Sequence, residues 1–206
     1  MTVEMWSAFL LATAVLTLIP GPCVLLLVGQ ALSRGMAAAF TSILGILLGD
    51  VLLMLLSLVG LGAVLGTSAL LFQAVKWAGV LYMAFLGYRQ ISEARNSAGT
   101  AMTEGARVHL MDGFRAGFLS AALNPKGIMF FLAFLPQFMD PSADPVPQVF
   151  VLVTTSVVVI GSILAGYVLA AARVRRALQS NATGRYIRFV AGGSLLGGSL
   201  MMAVVR

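Results

Sequence analysis

Six long apolar stretches alternate with short polar segments along the chain. Their approximate bounds are 5–29, 37–64, 69–91, 114–138, 147–172 and 187–205. Each is near or above the roughly 20 residues that a helix needs to cross the hydrocarbon core of a bilayer. Because a helix satisfies its own backbone hydrogen bonds within lipid, these stretches should be helices. The pattern predicts an all-α, polytopic membrane protein with about six transmembrane helices.

Composition favours the same class. Hydrophobic residues make up 60% of the chain and charged residues only 10%, whereas a soluble domain carries about 25% charged residues. The single cysteine, Cys23, excludes an intrachain disulfide, and the single histidine, His109, argues against a metal site. The spans hold no Ser–His–Asp set, and the chain has no phosphate-binding glycine loop. We therefore expect neither an enzyme nor a bound cofactor.

The basic residues predict the orientation in the membrane. Arg34 lies in the first connection, four arginines lie in the third and five in the fifth, whereas the second has none. Cytoplasmic connections carry the excess of Lys and Arg. We expect the odd connections to be cytoplasmic and both termini to be periplasmic, in a bacterial inner membrane. The net charge of +6 is then a sign of topology and does not predict binding of nucleic acid.

The polar segment 94–112 is rich in small residues and is predicted to be a cytoplasmic linker. It separates two halves, 1–93 and 113–206, with three apolar stretches each. Three helices in each half imply that the two halves have opposite orientations, as in the inverted repeats of many transporters.

A faint internal match supports the repeat. Phe9 and Pro20 of the first span are offset by 105 residues from Phe114 and Pro125 of the fourth. The match places one proline near the middle of the first helix in each half.

The strongest local feature is Pro20-Gly21-Pro22, inside the first span. Each proline lacks a backbone N–H and clashes with the preceding turn, so the triplet should break the helix at membrane depth. The freed backbone groups must face protein or a watery cavity. The helix that restarts near Cys23 would point its positive end inward, where a substrate carboxylate could bind. A structural kink without a ligand is the alternative.

Asn124-Pro125-Lys126 is the counterpart in the fourth span. Asn suits the N-cap of a helix and Pro the next position, so the helix should restart within the membrane. Lys126 would then lie near the midplane, where a charge costs about 2.5–3.5 kcal/mol and needs a partner or water. The alternative is a lysine whose long side chain reaches one membrane surface.

Asp50 is the one acidic residue deep within a predicted span. An intramembrane carboxylate predicts a functional site: it could carry a proton or bind a substrate ammonium. A fixed ion pair with Lys126 or Lys76 is the structural alternative. Gly45 and Gly49, four residues apart, predict the close approach of a neighbouring helix.

Other candidates are weaker. Lys76 lies only about two turns inside the third span, so its side chain can reach the membrane surface. Tyr82 is either an additional substrate contact or an ordinary packed residue. Gly193 and Gly197 of the last span fit a helix-packing motif, which would serve a homodimer or packing within one chain.

Together these motifs resemble the LysE/RhtB family of amino-acid exporters. The matching residues keep their order and spacing along nearly the whole chain: Pro20-Gly21-Pro22, Gly45 through Gly49-Asp50, Lys76, Gly79, Tyr82, Gly87, Asn124-Pro125-Lys126 and Leu135-Pro136-Gln137-Phe138. The resemblance implies export of amino acids or close derivatives from the bacterial cytoplasm, driven by the proton motive force. It also implies the inverted repeat, and it indicates no particular substrate.

We therefore expect a proton-coupled amino-acid exporter whose partners are its substrate, protons and the lipid bilayer. Its central site would combine Pro20–Pro22, Asn124–Lys126 and Asp50, with Asp50 carrying the coupling proton. An uncoupled channel or uniporter for small polar solutes would use the same cavity. A membrane enzyme or an assembly subunit is a third interpretation, and the missing catalytic set argues against the enzyme.

Overall fold

The computed structural model describes residues 1–58, 69–96 and 110–177, together with isolated positions between 193 and 204. Every regular element in these ranges is helical, which confirms the all-α prediction. The elements in chain order are α1 (Val3–Leu18), α2 (Pro22–Ser33), α3 (Met36–Leu58), α4 (Ala69–Asn96), α5 (Leu110–Ala122), α6 (Pro125–Ile128), a π-helical turn (Met129–Phe134), a 3₁₀-helical turn (Leu135–Phe138) and α7 (Pro145–Ala177).

Two of the described helices, α3 and α7, are each long and apolar enough to cross a membrane. Helices α1 and α2 meet that criterion together, as one broken span with a bend of 52°. Helix α4 contains a shorter apolar stretch, Trp77–Tyr88. Most of the predicted sixth span and the middle of the predicted linker lie outside the described residues. The total of six spans therefore stays a prediction.

Helix α3 shows the surface of a membrane protein. Leu44, Leu48, Leu52 and Leu55 follow one another at helical spacing, and all four are exposed. A continuous apolar stripe of this kind is unusual on a soluble monomer and suits contact with lipid. The opposite face points inward, where Ile46 is only 1% exposed. The helix thus has one face suited to lipid and an opposite face packed against the protein.

The first span breaks as predicted. Helix α1 ends at Leu18, and Ile19 adopts extended backbone angles. Gly21 is also extended and is the N-cap of α2, and Pro22 is the first helical residue. Proline fits that position because its missing N–H would have no partner in the first turn.

The fourth span breaks as well. Asn124 is the N-cap of α6, and its side-chain oxygen accepts a hydrogen bond from the Lys126 N–H at 3.2 Å. Pro125 occupies the first helical position. The chain then continues through the π-helical and 3₁₀-helical turns to Phe138. This geometry confirms the helix restart that the Asn-Pro pair predicts.

Helices α3 and α5 cross with their backbones in contact. A Cβ atom added at Gly45 would lie 2.1 Å from the carbonyl oxygen of Phe114, and one at Gly117 would lie 2.1 Å from the carbonyl oxygen of Ser42. Only glycine permits this approach at either position. The Ser42 hydroxyl donates across the crossing to the Gly113 carbonyl at 2.6 Å. The predicted close approach at Gly45 is confirmed, and it depends equally on glycines of α5.

The loop before α7 is ordered by its own polar groups. The hydroxyl and the amide of Ser142 both donate to the Asp140 carboxylate, at 2.6 and 2.9 Å. These bonds hold the pKa of Asp140 below its ordinary value. Asp144 accepts a hydrogen bond from the Val146 N–H at 2.9 Å and so caps the start of α7.

Adding a methyl group at the α3–α5 crossing should destabilise the protein. We expect Gly45→Ala and Gly117→Ala each to lower the free energy of unfolding by about 1–3 kcal/mol, because rigid backbone must move apart. Gly166→Ala is the matched control, since a Cβ there has nothing within 4 Å. It should be neutral or slightly stabilising. Thermal unfolding in detergent measures the difference, and equal Tm values for Gly45→Ala and Gly166→Ala would contradict the close contact.

Candidate functional site

A central cavity lies where the two helix breaks face α3 and α7. Its volume is about 60 Å³, which is enough for a few water molecules. It contains four of the residues predicted to form the site: Gly21, Asp50, Asn124 and Lys126. The full lining is Thr13, Leu16, Thr17, Ile19, Gly21, Cys23, Val24, Ile46, Asp50, Asn124, Lys126, Gly127, Phe130, Phe131, Ile160 and Leu164.

The two prolines of the first break deprive two carbonyl groups of α1 of their helical partners. In a continuous helix the Leu16 carbonyl would accept from residue 20 and the Leu18 carbonyl from residue 22. Both of these residues are prolines, which have no N–H to donate. The end of α1 therefore needs donors from elsewhere in the protein.

Lys126 supplies one of these donors. Its ammonium donates to the Leu16 carbonyl and, at 2.8 Å, to the Ile19 carbonyl. A cation is well placed here because the C-terminal end of a helix carries partial negative charge. The two contacts provide the partners that a charge at membrane depth requires. Lys126 thereby fastens the second helix break to the end of the first half-helix.

Tyr167 of α7 supplies the other donor. Its hydroxyl donates to the Leu18 carbonyl at 2.8 Å. This residue was missed by the sequence analysis. A tyrosine within an apolar span is a usable signal, because its hydroxyl needs a partner away from water. The sequence does not show which carbonyl that partner is.

The Asp50 carboxylate faces the second break and has no hydrogen-bond or ion-pair partner among the described residues. A Cβ atom added at Gly127 would lie 3.7 Å from Asp50 Oδ1, so the carboxylate approaches the α6 backbone closely. The Asp50 oxygens lie more than 4.0 Å from the Lys126 ammonium nitrogen, since no ion pair joins these two described residues. The Lys76 side chain lies outside the described residues.

The start of α2 offers free amide groups to the cavity. Gly21 caps the helix without a side chain, and its carbonyl accepts from the Leu25 N–H at 3.0 Å. The amides of Cys23 and Val24 have no acceptor within the helix, because the carbonyl four residues before each of them lies ahead of the N-cap. The start of α6 differs, because Asn124 already accepts from the Lys126 N–H. Of the two predicted half-helix N-termini, that of α2 has no side-chain cap, whereas that of α6 is capped by Asn124.

Cys23 connects the two breaks. Its sulfur lies 3.6 Å from the Ser120 hydroxyl, and the Asn124 amide donates to it, also at 3.6 Å. The contacts bring α2 against α5 at the point where both spans are interrupted. The arrangement gives Asn124 two roles, since its oxygen caps α6 while its nitrogen contacts the sulfur.

Thr13 is a second residue that the sequence analysis missed. Its side chain is buried, and its hydroxyl has no hydrogen-bond partner among the described residues. It lines the central cavity together with Thr17, one turn further along α1. Buried hydroxyl groups are normally bonded, so this one is available to a bound molecule or to water. The i, i+4 pair of threonines before the proline triplet is the signal in the sequence.

The remaining predicted candidates lie elsewhere. Tyr82 lines a different pocket, between α2, α4 and α5. Gly193 and Gly197 have no described atom within 4 Å of an added Cβ. No group of three His, Cys, Asp or Glu residues that could hold a metal ion occurs in the part of the chain that the structure describes.

The sequence matches the profile of a known protein family. The profile of the LysE type translocators matches residues 14–204, which include both helix breaks and the whole central cavity apart from Thr13. The chain belongs to the LysE type translocator family. A membrane location is supported by the apolar helices and by a relative, an uncharacterised membrane protein of Vibrio cholerae that is 30% identical over the full length of both chains.

Two further relatives of this LysE-type chain carry functional names. A homoserine/homoserine lactone efflux protein of Salmonella typhimurium is 33% identical over 84% of both chains. A leucine efflux protein of Salmonella typhimurium is 29% identical over 75% of this chain and 72% of its own. No solved structure matches the chain.

Removing the Lys126 ammonium should destabilise the broken span more than removing the Tyr167 hydroxyl. Lys126→Met leaves the Leu16 and Ile19 carbonyls unpaired, each losing a charged donor worth about 1.5–3 kcal/mol. Tyr167→Phe removes one neutral donor, worth about 0.5–1.5 kcal/mol. Tyr88→Phe, at an exposed tyrosine of α4, is the control. In thermal unfolding in detergent, the Tm should be lowest for Lys126→Met, higher for Tyr167→Phe and close to wild type for Tyr88→Phe. A Lys126→Met protein as stable as wild type would refute the capping role.

Proposed function

We propose that the chain exports amino acids or close derivatives across the bacterial cell membrane, coupled to the movement of protons. Family membership and the efflux relatives support the direction and the substrate class. The observation that carries the proposal is the unpaired Asp50 carboxylate in a cavity between two broken helices. Transporters commonly place substrate and coupling-ion sites at such breaks.

The cavity offers complementary groups for the two charges of an amino acid. The open amides of Cys23 and Val24 suit the substrate carboxylate, since a helix N-terminus favours an anion. Asp50 suits the substrate ammonium, and the Thr13 hydroxyl provides a further hydrogen bond. At about 60 Å³ the cavity holds only a few water molecules, so binding requires it to widen. Such widening is the expected accompaniment of a transport cycle.

Asp50 also provides the proposed coupling. A proton and a substrate ammonium compete for one carboxylate, so occupation by one excludes the other. Export would proceed when the substrate leaves on the outside and a proton replaces it on Asp50. The proton would then be released to the cytoplasm when the site faces inward. Because the Lys126 ammonium already has carbonyl partners, we propose that Lys126 positions the break and does not bind the substrate directly.

Alternating access would use two inverted halves, 1–93 and 113–206, joined by the linker 94–112. The similar placement of the breaks, at Pro20–Pro22 and Asn124–Pro125, supports this arrangement. The glycine crossing of α3 and α5 joins the two halves near the cavity. Six spans with both termini in the periplasm would complete the topology.

Neutralising Asp50 should abolish coupled export. In proteoliposomes we expect Asp50→Asn to lose leucine and homoserine transport driven by a pH gradient, because the carboxamide neither binds a proton nor attracts an ammonium. Asp144→Asn is the matched control: asparagine caps a helix as well as aspartate does. Gradient-driven transport that persists in Asp50→Asn would refute the proposal. Wild-type flux that ignores the gradient and does not saturate would support a channel instead.

Cys23 provides a native reporter of the cavity, because it is the one cysteine of the sequence. A substrate bound between α2 and Asp50 should shield the thiol from a small, membrane-permeant maleimide. We expect leucine or homoserine to slow labelling several-fold in the wild type and to have little effect in Asp50→Asn. Glycerol at the same concentration is the control for solute effects. Labelling rates that do not respond to any amino acid would place the substrate elsewhere.

A further inference from the structure

A second and larger pocket lies between α2, α4 and α5. Its volume is about 200 Å³, more than that of the central cavity. Two arginines, one aspartate, one glutamine and one tyrosine line it beside apolar side chains. We call it the arginine pocket and define it by Arg34, Tyr82, Phe85, Asp112, Arg115 and Leu119.

The arginine pocket lies along the same two helices as the central cavity. Helix α2 runs from Cys23 at the cavity to Arg34 at its C-cap, a distance of about 16 Å at 1.5 Å per residue. Helix α5 runs the opposite way, from Asp112 in its first turn to Ser120 beside Cys23. The pocket is thus at the end of α2 and α5 where the basic connections predict the cytoplasm.

One apolar layer separates the two spaces. Leu26, Val80 and Ala116 form a small buried cluster of their own, distinct from the main core. Leu26 is one turn from Cys23 and Ala116 is one turn from Ser120, while both also line the arginine pocket. A molecule in the pocket would therefore be one helical turn from the central cavity, behind a layer of three side chains.

Arg115 gives the pocket its affinity for an anion. It is exposed, and in the described part of the chain it makes neither an ion pair nor a hydrogen bond. Arg34, Tyr82 and Asp112 each have interactions of their own, so Arg115 is the group with its donors available. Guanidinium matches a carboxylate with two parallel hydrogen bonds.

We propose that the arginine pocket is a recruitment site that binds the carboxylate of an amino acid through Arg115 before the central cavity opens. Phe85 and Leu119 supply an apolar wall for the substrate side chain. The choice of an amino acid as ligand rests on the proposed function. The existence of the pocket and its separation from Asp50 do not depend on the proposed function.

Occupancy can be measured without transport. In a Cys23→Ser, Leu119→Cys protein, the new thiol lies in the arginine pocket, and its labelling rate by a maleimide reports binding. We expect leucine to slow labelling several-fold. Leucinamide keeps the ammonium and the side chain but lacks the carboxylate, and it should protect much less. Equal protection by the two compounds, or no protection by leucine, would overturn the proposal.

Arg115 variants test the charge. Arg115→Gln should remove the protection by leucine, and Arg115→Lys should restore part of it, since a lysine keeps the charge without the bidentate geometry. Arg173→Gln, at an exposed arginine of α7, is the matched control. Leucine should slow labelling in it as much as in the parent protein. Protection that survives in Arg115→Gln would refute the role of Arg115.

Transport kinetics separate this proposal from the exporter function. In proteoliposomes Arg115→Gln should raise the KM for leucine at the arginine-rich face by about tenfold, the effect of losing one charged contact, with kcat nearly unchanged. An exporter whose KM is unaffected by Arg115→Gln would refute the recruitment site alone. Carboxylate-dependent protection at Leu119→Cys in a protein without transport would refute the exporter function and support the site.

Discussion

Two carbonyl groups at the end of α1 determine much of this structure. Pro20 and Pro22 deprive the Leu16 and Leu18 carbonyls of their helical partners at a depth where lipid offers no donor. An unpaired carbonyl in that setting would cost several kcal/mol. The protein meets the need with Lys126 from the second broken span and Tyr167 from α7. Three distant segments are thereby brought together at one point, and the central cavity forms around it.

The same contacts explain why Asp50 stands alone. A lysine and an aspartate at similar depth would ordinarily pair, which neutralises both charges. Here the ammonium is held by the carbonyls at the end of α1, more than 4.0 Å from the carboxylate. The positive charge still lies across the same small cavity. The carboxylate therefore keeps its capacity to bind an exchangeable cation, which a closed ion pair would have removed.

Local chemistry made part of this site predictable. The proline triplet and the Asn-Pro pair each specify a helix break by steric and hydrogen-bonding rules that act within four residues. The identity of the unpaired carbonyls, Leu16 and Leu18, also follows from counting back four positions from Pro20 and Pro22. Their donors do not, because Lys126 and Tyr167 are more than 100 residues away in sequence. Which residues meet depends on how the helices pack.

The helix-face assignments were less predictable for a related reason. Tyr82 belongs to a matching motif, yet it lines the arginine pocket and not the central cavity. A single apolar helix has several faces of similar character, so its sequence does not say which neighbour each one meets. Thr13 shows the converse. An inconspicuous hydroxyl acquires significance only when its burial and its missing partner are known.

The glycine crossing of α3 and α5 also constrains biosynthesis. Gly117 follows Gly45 by 72 residues (117 − 45), so at roughly 5–20 residues per second the ribosome needs about 4–14 s to make the partner surface. Throughout that interval the emerging α3 carries an exposed groove that fits only a closely approaching backbone. When the first half of the chain has been synthesised, the α3 surface at Gly45 still has no partner. The contact with α5 can form only after that part of the second half has been made.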